Sequence, residues 1–184
     1  MMKRLAFIAV VALAGCGAED RFIAAPQVVA TEKVPSRFSS IEVREVSLPT
    51  HASSEEIYVE AEGGGLALSE LLWADDPTRA VTLALSRNLA EITGARVAPE
   101  PWPFDAFPAA RVDVRVERFL SQADGSLVLA GQYFVADLDG GGRDQARLFN
   151  LSVPLGAEVT PAAAAEARAR LVMDLAVKIA RDGL

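Results

Sequence analysis

The sequence contains very few of the side chains from which most active sites are built. Among its 184 residues there are one cysteine, Cys16, and one histidine, His51. With so few of these residues, the chain cannot form an internal disulfide or supply the clusters that bind zinc. No Gly-x-Ser-x-Gly pattern surrounds any serine, so a nucleophile elbow is not indicated either. We therefore expect no enzyme activity, no metal and no bound cofactor.

Two motifs resemble catalytic or metal-binding sites but have simpler explanations. His51 lies in a polar loop, where we expect a surface side chain rather than the base of a Ser/His triad. Asp137–Gly142 resembles the start of a calcium loop, but Gly141 occupies a ligand position and Leu148 stands where a bidentate glutamate is needed. The glycines instead predict a hairpin tip.

Basic residues and long apolar runs are also scarce. The chain has 18 lysines and arginines against 25 aspartates and glutamates, for a net charge of −7. This balance argues against binding nucleic acid through a basic surface. The longest apolar run, Leu5–Ala14, is shorter than the roughly 20 residues that a helix needs to cross a bilayer.

That apolar run is part of a recognisable export signal. Lys3 and Arg4 precede it and small residues follow it, as in a secretory signal peptide. Leu13-Ala14-Gly15-Cys16 also resembles a bacterial lipobox, in which the cysteine is acylated and becomes the first mature residue. We predict a signal peptide over residues 1–15 and covalent acylation of Cys16, which attaches the protein to a membrane.

Two alternatives for this stretch remain open. Ala12-Leu13-Ala14 also fits an ordinary signal-peptidase site, and the apolar run by itself fits a buried helix. If Cys16 is acylated, Gly17 follows it. By the enterobacterial sorting rule, the absence of aspartate at that position indicates the outer membrane.

The rest of the chain predicts a tether and one domain. Residues 16–36 are small, polar and proline-containing, which is typical of a tether, although residues 21–24 also fit an edge strand. Residues 37–184 form the domain. Alternating apolar and polar residues or turn-bounded apolar runs predict strands near residues 41–46, 57–61, 66–72, 112–116, 127–135 and 148–153.

Two helices have clear start and stop signals. Asp76 and Pro77 begin the first, and Gly94 follows its end; Thr160 and Pro161 begin the second. Gly183 follows the second helix. The predicted order is β-β-β-α-β-β-β-α, in an α+β (mixed α/β) domain with a mostly antiparallel sheet covered by two helices. The residues that we expect the two helices to bury are Val81, Leu85, Leu89, Ile92, Leu171, Leu175 and Ile179.

Large aromatic residues are concentrated in one short, proline-rich stretch. Trp102, Phe104 and Phe107 lie within Pro101–Pro108, which we call the aromatic loop. Such rings usually pack in a core, but when exposed they mark an interface. Trp73, just before the first helix, carries the same ambiguity. We take these four residues as candidates for binding a partner.

The order of these motifs resembles that of the ABC-type transport auxiliary lipoproteins. Two positions depart from the family pattern: Leu72 stands where arginine is usual, and Asp75-Asp76 replaces a single glutamate. The motifs that carry the resemblance are Leu13–Cys16, Val43–Pro49, Leu72–Pro77, Asn88–Ala90, Pro101–Pro103, Val112–Phe119 and Leu175–Ala180.

The resemblance implies a non-catalytic lipoprotein subunit of an MCE-type lipid transport system. Its implied partners are an MCE-domain protein and an ABC permease with its ATPase, and the subunit itself is a possible homo-oligomer. Its implied place is the periplasmic face of the outer membrane of a Gram-negative bacterium, where it docks the periplasmic apparatus. The main alternative is a general envelope-assembly lipoprotein that binds another outer-membrane or periplasmic partner.

Overall fold

The computed structural model describes residues 21–61, 63–155 and 160–184. The predicted signal peptide and Cys16 lie outside these ranges. No helix in the described part is long and apolar enough to cross a bilayer. The described elements are, in chain order, β1 (Arg21–Ile23), β2 (Ser40–Val43), α1 (Thr50–Ser53), β3 (Glu56–Glu60), β4 (Leu66–Trp73), α2 (Pro77–Thr93), β5 (Arg96–Pro99), β6 (Ala110–Ser121), β7 (Ser126–Asp137), β8 (Gln145–Pro154) and α3 (Pro161–Asp182).

The eight described strands form one sheet organised around β6. One edge of β6 pairs with β7, which is also paired with β8, and both pairings are antiparallel. The other edge pairs with β2 at the first residues of β6 and with β3 at its last residue, Ser121. Strand β5 lies beyond β2, while β4 and then β1 lie beyond β3. The long strand β6 therefore sets the distance between the two ends of the domain.

The predicted α+β single domain is confirmed, with one refinement to the sheet. The predicted hairpins are present as the antiparallel pairs β3–β4, β6–β7 and β7–β8. Four parallel pairings, β1–β4, β2–β5, β2–β6 and β3–β6, make the sheet mixed rather than purely antiparallel. The short helix α1 and strand β5 were not among the predicted elements.

Both long helices begin and end where the sequence predicts. The Asp76 side chain accepts a hydrogen bond of 2.7 Å from the Arg79 N–H at the start of α2, and Gly94 ends that helix in the left-handed conformation. Thr160 caps α3 in the same way through the Ala163 N–H. The predicted core residues of both helices are buried: Val81, Leu85, Leu89, Ile92, Leu171, Leu175 and Ile179.

Residues 24–39, here called the N-terminal segment, run from β1 to β2 without regular structure and contact the helices. Glu32 accepts two hydrogen bonds from Arg181 at 2.7 and 2.8 Å, and the Val34 N–H donates to the Ile92 carbonyl. The sequence predicts a tether over residues 16–36, of which the structure describes residues 21–36. In the structure they contribute strand β1 and pack along the domain.

A bulge in β6 changes which side chains face the core. Alternate residues from Ala110 to Val116 are buried, as expected for a strand with one face on the core. The pairing with β7 then shifts between Val116 and Arg118, and the next buried side chain is Phe119 rather than Arg118. The bulge therefore brings the Phe119 ring to the helix-covered face at the end of β6.

Gly131 of β7 lies directly opposite this bulge. A Cβ atom on Gly131 would collide with the Arg115 carbonyl oxygen and would lie 2.9 Å from Val116 Cα. Because both contacts are with backbone, neither can be relieved by turning a side chain. The close approach of the two strands at the bulge thus requires glycine at this position.

We predict that Gly131→Ala destabilises the protein by about 1–3 kcal/mol, the usual cost of forcing extra volume into a packed site. Gly65→Ala is the matched control, because nothing lies within 4 Å of a Cβ there. Its effect should stay within about 0.5 kcal/mol. Denaturant unfolding monitored by circular dichroism measures both variants. Equal stabilities for the two would contradict the account of the bulge.

Candidate functional site

Near the end of β6 lies a buried arginine of α3 that contacts three other elements of the fold. Arg168 projects from α3 and is only 4% exposed. Its guanidinium carbon lies 4.0 Å from the centre of the Trp73 ring of β4 and 5.2 Å from that of Phe119 of β6. One Nη2–H donates a 3.2 Å hydrogen bond to the carbonyl of Pro77, the first residue of α2. We call these four residues the arginine cluster.

The charge of Arg168 is not neutralised by a contacting carboxylate in the described part of the chain. None of the six ion pairs found there includes it. Burial lowers the pKa of the Arg168 guanidinium to about 10, and the more distant charge of Asp76 opposes that shift. At neutral pH the side chain is therefore still a cation, stabilised mainly by two aromatic rings and one carbonyl.

Two cavities meet at the arginine cluster. The larger has a volume of about 230 Å³ and lies between the N-terminal segment and helices α2 and α3. Trp73 and Arg168 form part of its wall, Arg87 and Asp75 are its other charged residues, and its remaining lining is apolar. The apolar side chains are Ile23, Ala24, Ala25, Pro26, Val28, Ala80, Val81, Leu83, Ala84, Ala169 and Val172.

The smaller cavity lies on the other side of the same residues. It has a volume of about 40 Å³ and is lined by Trp73, Arg168, Phe119 and His51, among others. The Nε2 atom of His51 is buried without a hydrogen-bond partner in the described residues. The expected surface histidine is thus only partly exposed, and it borders a cavity large enough for one water molecule.

The aromatic loop lies at the opposite end of β6. The Trp102 Nε1–H donates to the Ala106 carbonyl at 2.6 Å, and the Trp102 and Phe104 rings meet edge to face at 4.9 Å. The guanidinium of Arg96 lies 5.3 Å from the Phe104 ring centre. Phe104 is 43% exposed and Phe107 is 94% exposed, so these two rings do not fill the core.

The structure brings three of the four predicted partner-binding residues together and separates the fourth. Trp102, Phe104 and Phe107 share the loop that precedes Ala110, the first residue of β6. Trp73 instead contacts Arg168 near Phe119. Nine residues of strand separate Ala110 from Phe119, which corresponds to roughly 30 Å. The molecule therefore has two distinct candidate regions, an exposed aromatic surface and a buried cationic one.

Arg168 was not singled out from the sequence, although one signal was present. It precedes Leu171 by three residues and Leu175 by seven, so all three lie on the same face of α3. A charged residue on a buried helix face normally has a partner or a function. Neither candidate region, as described, pairs a nucleophile with a base. Their chemistry is that of binding, through apolar contact and a fixed positive charge.

Comparison with known proteins identifies relatives of the chain. Residues 23–180 match the family model described as "ABC-type transport auxiliary lipoprotein component". A search of curated proteins gives no significant match.

Two crystal structures share the fold. One, of an uncharacterised protein, has a TM-score of 0.71 at 16% identity and covers 89% of this chain and 97% of its own. The other, a protein of family DUF330 from Xanthomonas campestris, has a TM-score of 0.69 at 16% identity and covers 86% of this chain and 91% of its own. At this identity the likeness concerns the fold alone.

Proposed function

Because the chain belongs to the family of ABC-type transport auxiliary lipoprotein components, we propose that it is a non-catalytic, outer-membrane-anchored subunit of an MCE-type lipid transport system. In this role it docks the periplasmic apparatus at the outer membrane. The acyl group on Cys16 supplies the anchor, and the aromatic loop supplies the contact with an MCE-domain protein. The permease and its ATPase complete the system in the inner membrane.

The exposure of Phe107 is the observation that carries this proposal. A phenylalanine side chain that is 94% exposed contributes almost nothing to the stability of the free domain. Aromatic anchors inserted into a partner commonly supply 2 kcal/mol or more of binding energy. The Trp102–Ala106 hydrogen bond holds the loop in shape, so little conformational entropy is lost when a partner binds.

The position of β1 indicates which end of the domain lies nearer to the proposed membrane anchor. Arg21 pairs with Leu71 of β4, at the end of the sheet where β6 finishes, whereas the aromatic loop precedes the start of β6. Cys16 is five residues before Arg21 in the sequence, and five residues of chain span at most about 18 Å. This reach is shorter than the roughly 30 Å between the two ends of β6. An anchor on Cys16 would therefore attach the domain to the membrane at the end of β6 opposite the aromatic loop.

We predict that tagged full-length protein, isolated from its own cells in mild detergent, copurifies with an MCE-domain protein and the associated permease and ATPase. Phe107→Ala should lower the recovered amount of that partner at least tenfold without changing thermal stability. Leu148→Ala is the matched control, since Leu148 is also strongly exposed, at 74%, but lies on β8. Mass spectrometry identifies the partners and quantifies them.

Two results would contradict this prediction. Recovery of outer-membrane assembly proteins in place of the transport system would favour the general envelope-assembly lipoprotein. Full partner recovery with Phe107→Ala, and loss with Leu148→Ala, would move the docking surface from the aromatic loop to the face of β8.

We also predict that Cys16→Ala leaves an unprocessed precursor that incorporates no labelled palmitate. The reason is that the thiol is the acceptor of the diacylglyceryl group, and the specialised peptidase acts only after that transfer. Gel mobility and acyl labelling in cells measure both steps, with Gly17→Ala as the control that keeps the thiol. A Cys16→Ala protein that matures at its normal size and still takes up label would show that the anchor is elsewhere.

A further inference from the structure

We infer that the larger cavity binds an amphiphile with one apolar chain and an anionic head group, with Arg168 holding the head group. This ligand site lies at the opposite end of β6 from the aromatic loop. The inference is therefore independent of the proposed docking function.

The first argument is that no carboxylate of the described residues forms an ion pair with Arg168. Removing a cation from water is energetically costly, even after the protein relaxes around it. Stacking against aromatic rings offsets part of that cost. The single hydrogen bond to Pro77 uses one of the five guanidinium N–H groups. A carboxylate or phosphate that reaches the remaining donors would form strong, charge-assisted hydrogen bonds with the guanidinium in a site that contains little water.

The second argument is the charge at the cavity rim. Arg87 borders the cavity and forms no ion pair within the described residues. The carboxylate that also borders it, Asp75, is already paired with Arg79 at 2.6 Å. Among the described residues, the balance of charge facing the cavity is therefore positive, although the whole chain is acidic. A negatively charged group is favoured there over a positive or neutral one.

The third argument is the size and lining of the cavity. Eleven of its fifteen lining residues are apolar, which suits a hydrocarbon chain. Its volume of about 230 Å³ exceeds the 150 Å³ of an engineered apolar cavity that binds benzene. The same volume falls below the roughly 300–1,000 Å³ of sites for drug-sized ligands. One short chain, or one end of a longer chain, therefore fits better than a diacyl lipid.

Trp73 provides a direct probe, because its ring contacts Arg168 and lines the cavity. The chain has two tryptophans, so Trp102→Phe leaves Trp73 as the sole tryptophan fluorophore. Full-length protein carrying this change, in phosphatidylcholine nanodiscs, is titrated with ω-bromooctanoate, whose bromine quenches tryptophan on contact. We expect saturable quenching of Trp73 that excess octanoate or octyl phosphate reverses. The stronger of these two competitors identifies the head group as a carboxylate or as a phosphate.

Neutral octanol and cationic octyltrimethylammonium should compete at least tenfold more weakly. If octanol competes as well as octanoate, or if quenching is absent or not saturable, the inferred anionic site is wrong. These results would leave the docking proposal untouched, since that proposal is judged by partner recovery.

Two variants locate the ligand, and a third serves as control. Arg168→Met removes the charge and keeps an unbranched apolar side chain, and it should weaken ω-bromooctanoate binding at least tenfold while circular dichroism shows that the domain still folds. Ala84→Phe should block binding by filling the cavity while leaving the guanidinium in place. Arg170→Met, an exposed position on the same helix, should bind as the parent does.

Unchanged binding in both Arg168→Met and Ala84→Phe would overturn the inference. If Arg168→Met does not fold, Ala84→Phe alone tests the inference. Unchanged ω-bromooctanoate binding by Ala84→Phe would then overturn it.

Discussion

The burial of one positive charge links the main elements of this domain. Arg168 joins α3 to the start of α2 through the Pro77 carbonyl, and to the sheet through the rings of Trp73 and Phe119. A buried cation with no ion-pair partner among the described residues depends on neighbouring groups that are held in place. The Asp76 cap fixes the first turn of α2, and the bulge in β6 places Phe119 on the correct face. Gly131 allows β7 to approach β6 closely at the bulge. The bulge in turn places the Phe119 ring against Arg168.

This arrangement divides the molecule into two ends with different properties. At the start of β6, a loop closed by the Trp102–Ala106 hydrogen bond exposes Phe104 and Phe107 to solvent. At the end of β6, Trp73 and Arg168 of the arginine cluster line two cavities, and the larger of these is bordered by the N-terminal segment. The first end suits contact with another protein, and the second suits a small charged ligand. Both properties are compatible with membership of a family of ABC-type transport auxiliary lipoprotein components.

Sequence patterns predicted the local features of the fold and missed the long-range ones. The limits of α2 and α3 followed from Asp76, Gly94 and Thr160, because capping depends on residues a few positions apart. The parallel pairings of β2 and β3 with β6 join segments about 60 to 70 residues apart, and no local signal specifies them. The β6 bulge was not predicted either, because it depends on how closely Gly131 of the neighbouring strand β7 approaches β6.

The two candidate sites also differ in how far they could be predicted from local sequence. The aromatic loop was recognisable because its rings and prolines are adjacent in sequence, although only the structure showed which rings are exposed. The pairing of Trp73 with Arg168 was not recognisable, because 95 residues separate them. The charge of Arg168 on the face shared with Leu171 and Leu175 was the available clue.

Site-specific photo-crosslinking in living cells tests the central claim most directly. A benzophenone amino acid is introduced at position 107 of the full-length protein and, in a second strain, at position 148. The account predicts that illumination links position 107 to an MCE-domain protein and leaves position 148 without that product. A cross-link to the same protein from position 148 alone, or to an unrelated envelope protein from position 107, would contradict it.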